Sequence, residues 1–483
     1  MIFLGIDAGT QGVRTIGVDE KGNVRAAASV AYETLNTSDK AGYYEQIPDD
    51  WYEAAGDTVR DCLEQLKQAG LSTDEVQAVC VDGTSGTIVP VDEQLKPLSP
   101  ALMYNDARAA DQLPLIHAVC GTLERRCGYT INASFALPRL LWIKEHRPAV
   151  YEKTRWFLHQ ADWLMAQLCG VSGVTDYSNA LKTGYDIVNG GWPDEIGRLG
   201  IDMGKLPRVV APGVLIGRVT QEAALRTGLS CGTAVVAGAT DGYASALAAG
   251  AVKTGDWASI LGTTLVLKGV TRQLLIDPGG SGYSHLMPTG EYMIGGASNV
   301  GGRILNEFKE HFETFNKHVN ALSPTGVVCY PLMGKGERFP FVDPAARMFV
   351  YGDISDPRVR YTALMEGVGY TERLAYERMA QMGAPVGDVI YTSGGACRSE
   401  EWLLVRASIL GKTLRVPAVI DAAMGSALLA AAHVFGSLAE AAQSMLRIAK
   451  TVEPVAQKVG QYEESYGAFC VECAKRYTQG GQA

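Results

Sequence analysis

At 483 residues, with 47% hydrophobic and 20% charged side chains, the chain has globular composition and is long enough for roughly three ordinary domains or two large ones. Its 43 Lys and Arg against 52 Asp and Glu leave a net charge of −9, which argues against nucleic acid or an anionic membrane as partner, since either asks for a basic face. The opening segment lacks a charged n-region and meets Asp7 too early for a signal peptide, and no apolar run reaches transmembrane length, so a cytoplasmic location is expected.

In chain order, Phe3 to Asp7 reads as an apolar strand, Gly9 to Gly12 as a glycine turn, and Val13 to Val18 as a second strand; Gly22-Asn23 turns again and Val24 to Val30 is a third. A P-loop would open a helix at its glycines, whereas this loop belongs to a β-meander. Backbone N–H groups freed over Gly9, Thr10, Gln11 and Gly12, with the Thr10 hydroxyl, could cradle phosphate oxygens. Asp7 is then placed to hold a hydrated Mg²⁺ and Arg14 to add a fixed positive charge. An ordinary hairpin with a glycine turn is the competing reading. Asp49 to Ala69 is an amphipathic helix stopped by Gly70. Val76 to Val81 is a strand ending on the polar turn Asp82-Gly83-Thr84-Ser85-Gly86-Thr87, and Ile88 to Val91 returns as another. Residues 109 to 235 read mostly as helices.

Ala234 to Gly238 is a strand that opens onto Asp241 and the small-residue helix Ala244 to Ala249, where the plain reading of Asp241 is an N-cap. Residues 258 to 270 repeat the strand, glycine turn, strand pattern at Gly262-Thr263-Thr264, half a chain after the first, which suggests an internal duplication. Thr362 to Met382 is a long helix. Val389 to Ser393 is a strand running into Gly394-Gly395-Ala396, followed by Ser399 and the helix Glu400 to Leu410; glycines there let a flat base approach the backbone. An Ala/Leu-rich helix spans Ala422 to His433, and one or two helices are expected after Gly436. Of ten cysteines, Cys62, Cys80, Cys120, Cys127, Cys169, Cys231, Cys329 and Cys397 are expected as reduced core residues. Cys470 and Cys473 lie on a terminal helix from Gln461 to Tyr477, with no further zinc ligands nearby.

The three glycine loops together resemble the actin-type ATPase arrangement and, more specifically, the FGGY family of carbohydrate kinases, over nearly the whole chain. Other stretches match the same family. Tyr104-Asn105-Asp106-Ala107-Arg108 resembles its Trp-Asn-Asp-x-Arg segment, and Pro138-Arg139-Leu140-Leu141-Trp142 stands where the family has Lys-x-x-Trp, with Arg139 in the Lys position and Trp142 read as core. The resemblance implies an α/β fold of two ribonuclease-H-like domains facing each other across a nucleotide and sugar cleft. The expected segments are 1–237, 238–436, and C-terminal helices 437–483 packing back on the first domain. It also implies ATP and Mg²⁺ as cofactors. Asp241 becomes the catalytic base and a sugar contact, with Ser85, Gly86 and Tyr104 beside the sugar and Asp7 at the metal. Gly9, Thr10, Gln11, Arg14, Gly262 and Thr263 are assigned to phosphates, and Gly394, Gly395, Ala396 and Ser399 to adenosine. Xylulose kinases carry a Met-His pair that touches the sugar where this chain has Ser85-Gly86, and the Asp82 to Thr87 string looks like the D-ribulose kinase branch. D-ribulose phosphorylated at its terminal hydroxyl is therefore expected, with D-xylulose as the alternative and an actin- or Hsp70-like ATPase as the competing class. A homodimer is left open.

Overall fold

A computed structural model describes residues 1–477 and divides into two compact units. The first comprises residues 1–248, 285–290 and 421–446; the second comprises 249–284, 291–420 and 447 onward. Six strands build the sheet of the first: Ile2–Ala8 (β1), Gly12–Asp19 (β2), Val24–Ala31 (β3), Val76–Gly83 (β4), Leu215–Arg218 (β5) and Ala234–Thr240 (β6). They lie in the order β5-β6-β4-β1-β2-β3, with β1, β4 and β6 parallel and the other neighbours antiparallel. β4 and β6 are almost wholly buried and correspondingly apolar along their length, whereas the edge strand β3 is exposed at alternate positions.

The second unit repeats this plan. Its strands Trp257–Leu261 (β7), Leu265–Thr271 (β8), Tyr292–Ser298 (β9), Val389–Ser393 (β10), Thr413–Pro417 (β11) and Ile448–Val452 (β12) lie in the order β9-β8-β7-β10-β11-β12. Here too a three-stranded antiparallel meander is followed by two strands parallel to its first member and one antiparallel edge strand. The ribonuclease-H-like plan thus occurs twice, as the paired glycine turns led us to expect.

The expected segment boundaries need correction. The first unit extends past residue 237 because the Asp241–Ala249 helix continues directly from β6. It also regains residues 421–446, whose Ala422–Phe435 helix packs on β1 and β4. The terminal helix, Ala456–Tyr477, belongs to the second unit rather than packing on the first domain. Its aromatic stripe explains why: Tyr462 and Phe469 meet Tyr370 at ring separations of 6.1 and 5.6 Å, and Phe469 stacks on Tyr330 at 5.9 Å.

Smaller expectations change as well. The stretch read as mostly helical also holds the strands Trp156–His159, Val174–Asp176 and Arg208–Val210. Trp142 is half-buried rather than core; it stacks on His146 at 4.7 Å with the guanidinium of Arg108 over its ring. Cys231 is exposed in a turn and Cys397 is half-buried, while the other six scattered cysteines are buried. Among the described residues no single helix is long and apolar enough to cross a membrane.

Candidate active site

Parallel neighbours in a sheet end at the same edge, so their last residues converge where ligands of α/β folds gather. In the first unit this edge collects three carboxylates. Asp7 on β1 and Asp82 on β4 are register partners, and Asp82 in turn pairs with Ala239 on β6, two residues before Asp241. Asp82 is fully buried: Oδ2 accepts a 2.6 Å hydrogen bond from the Ser426 hydroxyl, and Oδ1 has no hydrogen-bond partner among the described residues. Burial, and then the charge of Asp7, hold its carboxyl well above the usual range. Burial also raises Asp7, with Asp82 as the main opposing influence, the charge of Asp421 adding to the rise and Arg14 opposing it less. In the sequence Asp82 figured only as the first residue of a polar turn and Ser426 not at all; only the strand register joins Asp82 to Asp7.

The glycine turn between β1 and β2 is closed on itself. The Gly9 amide donates to the Gly12 carbonyl at 2.9 Å, so the expectation of a freed N–H there does not hold. The Thr10 carbonyl accepts from Gln46 Nε2 at 2.9 Å and the Gln11 carbonyl from the Tyr32 amide at 3.0 Å. Arg14 is a register partner of Asp7, but its guanidinium pairs with Asp421 at 3.0 Å, just before the Ala422–Phe435 helix.

Asp241 is the first residue of its helix rather than its cap. Its Oδ1 accepts the Gly242 amide at 2.6 Å, and the Ser85 amide also hydrogen-bonds to the carboxylate. Burial nevertheless pushes the carboxyl up to about 6, with the Gly242 amide opposing and the charge of Asp7 adding to the rise. The backbone just before it is fixed: the Thr240 amide donates to Ser178 Oγ at 2.9 Å, and Ser178 Oγ donates to Asp176 at 2.6 Å. Asp176 in turn caps the Tyr177–Lys182 helix. Asp176 thus both caps its own helix and, through Ser178, ties that helix to the end of β6.

The turn carrying Ser85 and Gly86 is held from below. Gln160 Oε1 accepts both the Thr84 amide and hydroxyl, at 2.9 and 2.7 Å. His159 bridges the Thr87 carbonyl through Nδ1 and the Thr183 hydroxyl through Nε2, both at 3.0 Å. Burial drives the His159 pKa down to about 3, so the ring is neutral, Nδ1–H donates to Thr87, and Nε2 accepts. Gly86 sits at φ 96°, and a Cβ there would lie 2.2 Å from the Ser134 carbonyl oxygen. No other residue fits this backbone without displacing one loop or the other. Tyr104 is half-buried and linked to the turn through Arg139.

In the second unit, Gly262, Thr263, Gly395, Ala396 and Ser399 line one cavity of about 560 Å³. Arg303, Asn306, Asn316, Tyr361 and Trp402 also line it, none of them marked by a motif. The two adjacent glycines do different things. A Cβ on Gly394 would meet the Leu261 carbonyl oxygen at 2.4 Å, so Gly394 serves strand packing, whereas Gly395 has nothing within 4 Å of its Cβ position and opens on the cavity. Ser399 caps the Glu400–Leu410 helix through the Trp402 amide at 3.1 Å.

Hard carboxylate oxygens, one of them buried without a donor, suit a Mg²⁺ ion, which is commonly held by one or two carboxylates and substrate phosphate. Asp7, with Asp82 beside it, is the pair that would hold it.

Comparison with known proteins bears on the whole chain. Residues 2–248 match the N-terminal domain of the FGGY family of carbohydrate kinases, and residues 257–434 match its C-terminal domain. A xylulose kinase of Bacillus subtilis is 29% identical over 96% of this chain and 95% of its own length, and one from Staphylococcus epidermidis is 28% identical over 97% and 95%. The crystal structure of xylulose kinase from Rhodospirillum rubrum superposes with a TM-score of 0.87 at 24% identity, covering 98% of this chain and 99% of that one. With both family domains matched in order, the chain belongs to the FGGY family of carbohydrate kinases and is an ATP-dependent sugar phosphotransferase.

Proposed function

We propose that this kinase phosphorylates a ketopentose, D-ribulose, at its terminal hydroxyl, with the sugar beside Ser85, Gly86 and Tyr104 and the reacting hydroxyl on Asp241. As that oxygen bonds to the γ-phosphorus of ATP, Asp241 takes its proton and the bond to ADP breaks. The transition state of phosphoryl transfer is loose, so a carboxylate suffices as base and the protein mainly positions groups and neutralises charge. Thr10, Gln11, Gly262 and Thr263 are assigned to phosphate oxygens, and Asp7 to Mg²⁺, which when bound supplies charge neutralisation at the phosphates. The cavity at Gly395, Ala396 and Ser399 is assigned to adenosine, since a concave site walled by Trp402 and Tyr361 with Asn306 at its edge suits a purine.

One observation carries the choice of sugar. By the family resemblance the sugar-contacting Met-His of xylulose kinases corresponds to Ser85-Gly86, and Gly86 has no room for a side chain. A small hydroxyl and an amide on the Asp241 carboxylate therefore replace an imidazole, and a site built around different hydrogen bonds discriminates epimers strongly, because the wrong one leaves buried polar groups unpaired. D-xylulose is the second reading, favoured by the names of the relatives over nearly the full chain. A coupled ADP-release assay over ketopentoses, polyols and hexoses is expected to give kcat/KM for D-ribulose at least about tenfold above D-xylulose, with glycerol and aldoses poor. A preference for xylulose or any hexose would overturn the choice.

The adenosine assignment has its own test. Because Gly395 faces open space, Gly395→Leu should fold normally and fill the cavity, weakening ADP by on the order of tenfold in calorimetry while the sugar KM stays within about twofold. Unchanged ADP binding would place adenosine elsewhere.

A further inference from the structure

Arg139 lies in the first turn of the Ala136–His146 helix, wholly buried, with no carboxylate in hydrogen-bond contact among the described residues. Its Nη1 and Nη2 donate to backbone carbonyls instead, while Nε has no partner among the described residues. Nη1 donates to Ala133 at 2.7 Å and, more weakly, to Tyr104 and Asp106, both at 3.4 Å; Nη2 donates to Gly86 at 2.8 Å and Ser134 at 2.9 Å. Asp106 attracts it through space, but the Asp106 oxygens are already taken by Arg108 and the Tyr44 amide. Burying a cation among neutral carbonyls is costly, and a simple core position would be filled more stably by an apolar side chain.

The identity of the carbonyls explains the exception. They belong to three separate segments, at 86, 104–106 and 133–134, and two of those segments carry the residues assigned to the sugar. We infer that Arg139 is a positioning residue for the sugar pocket, a planar fork that fixes the Ser85-Gly86 turn relative to Tyr104 and to the loop at Ser134. Gly86 shows how tight that arrangement is: the Ser134 carbonyl that Nη2 holds is the same atom that occupies the space of a Cβ on Gly86. Nη2 therefore bridges the Gly86 and Ser134 carbonyl oxygens at a point where the Ser134 oxygen leaves Gly86 no room for a methyl group. A Lys at this position, as in the family's pattern, offers three donors around one point and cannot span the same fork.

This inference rests on the sugar lying beside Ser85 and Tyr104, and the experiment separates the two. Sugar KM, ATP KM and kcat are measured for Arg139→Met, Arg139→Lys and Ser85→Ala with whichever ketopentose the wild type prefers. For Arg139→Met the sugar KM should rise on the order of 10- to 100-fold while the ATP KM stays within about twofold; Arg139→Lys should recover part of the loss. A folded Arg139→Met or Arg139→Lys with wild-type sugar KM overturns the inference, as does a parallel rise in both KM values, which marks general damage. If Arg139→Met does not fold, Arg139→Lys decides by the same criterion. Ser85→Ala without effect on the sugar KM would instead overturn the location of the sugar.

Discussion

Asp241→Asn is expected to lower kcat by on the order of 10² to 10⁴ while ATP affinity stays close to that of the wild type. Asn keeps the oxygen that accepts the Gly242 amide and has nearly the same shape, so the pocket should stay in place while proton acceptance is lost. The pH profile separates this role from a structural one. Burial raises the Asp241 carboxyl to about 6, so a base here is ionised above that pH and protonated below it. In the wild type kcat/KM for the sugar should fall as pH drops through about 6, and that limb should be absent from the residual activity of the Asn variant. The effect on stability runs the other way. A carboxyl raised from 3.8 to about 6 on folding contributes stability that is complete below 3.8 and lost as pH rises through 6, so at pH 7.5 the Asn variant should melt no lower than the wild type. Unimpaired sugar-dependent turnover would remove Asp241 from the reaction.

The sequence displayed those features that local patterning controls. β1, β2 and β3 follow from apolar runs punctuated by Gly9-to-Gly12 and Gly22, and the recurrence at Gly262 revealed the duplication, because a strand and its turn are specified within a dozen residues. Asp7 and Asp241 are legible as candidates for the same reason, each standing at the end of a strand. What stayed hidden depends on partners distant in the chain. Ser426 reaches Asp82 across 344 positions, and Arg139 is legible only as an Arg in the family's Lys position until the three loops around it are seen. The terminal helix shows the same limit. Tyr462, Tyr466, Phe469 and Cys473 announce an apolar stripe, but nothing in their spacing says that Tyr330 and Tyr370, rather than the first domain, will cover it. The closed Gly9 turn and the Arg14–Asp421 pair were out of reach likewise, since a glycine motif does not say which of its amides the turn itself consumes.

Asp7→Ala is expected to separate activity from stability. Turnover should fall by on the order of 10² to 10³, with far more Mg²⁺ needed to reach what remains, because the carboxylate assigned to the ion is gone at the point where phosphate charge must be neutralised. The metal-free protein should respond in the opposite sense. Asp7 and Asp82 are register partners at a buried strand edge, and the folded state raises both carboxyls above the ordinary 3.8, Asp82 the more because it is wholly buried with one oxygen lacking a donor. Burial is the largest cause at both, and the charge of Asp7 raises Asp82 further. Groups raised on folding contribute stability that is whole below 3.8 and lost as pH climbs through their folded values, so in the presence of a chelator the wild-type Tm should fall as pH rises out of the acid range. Alanine at 7 removes one carboxylate and its repulsion, and the variant's Tm at pH 7.5 should equal or exceed that of the metal-free wild type, the pattern of a site that trades stability for function. Thermal melts with chelator and with Mg²⁺ test both halves. Mg²⁺ should raise the wild-type Tm and leave that of Asp7→Ala nearly unmoved, and an equal Mg²⁺ response in the two proteins would take the ion away from Asp7.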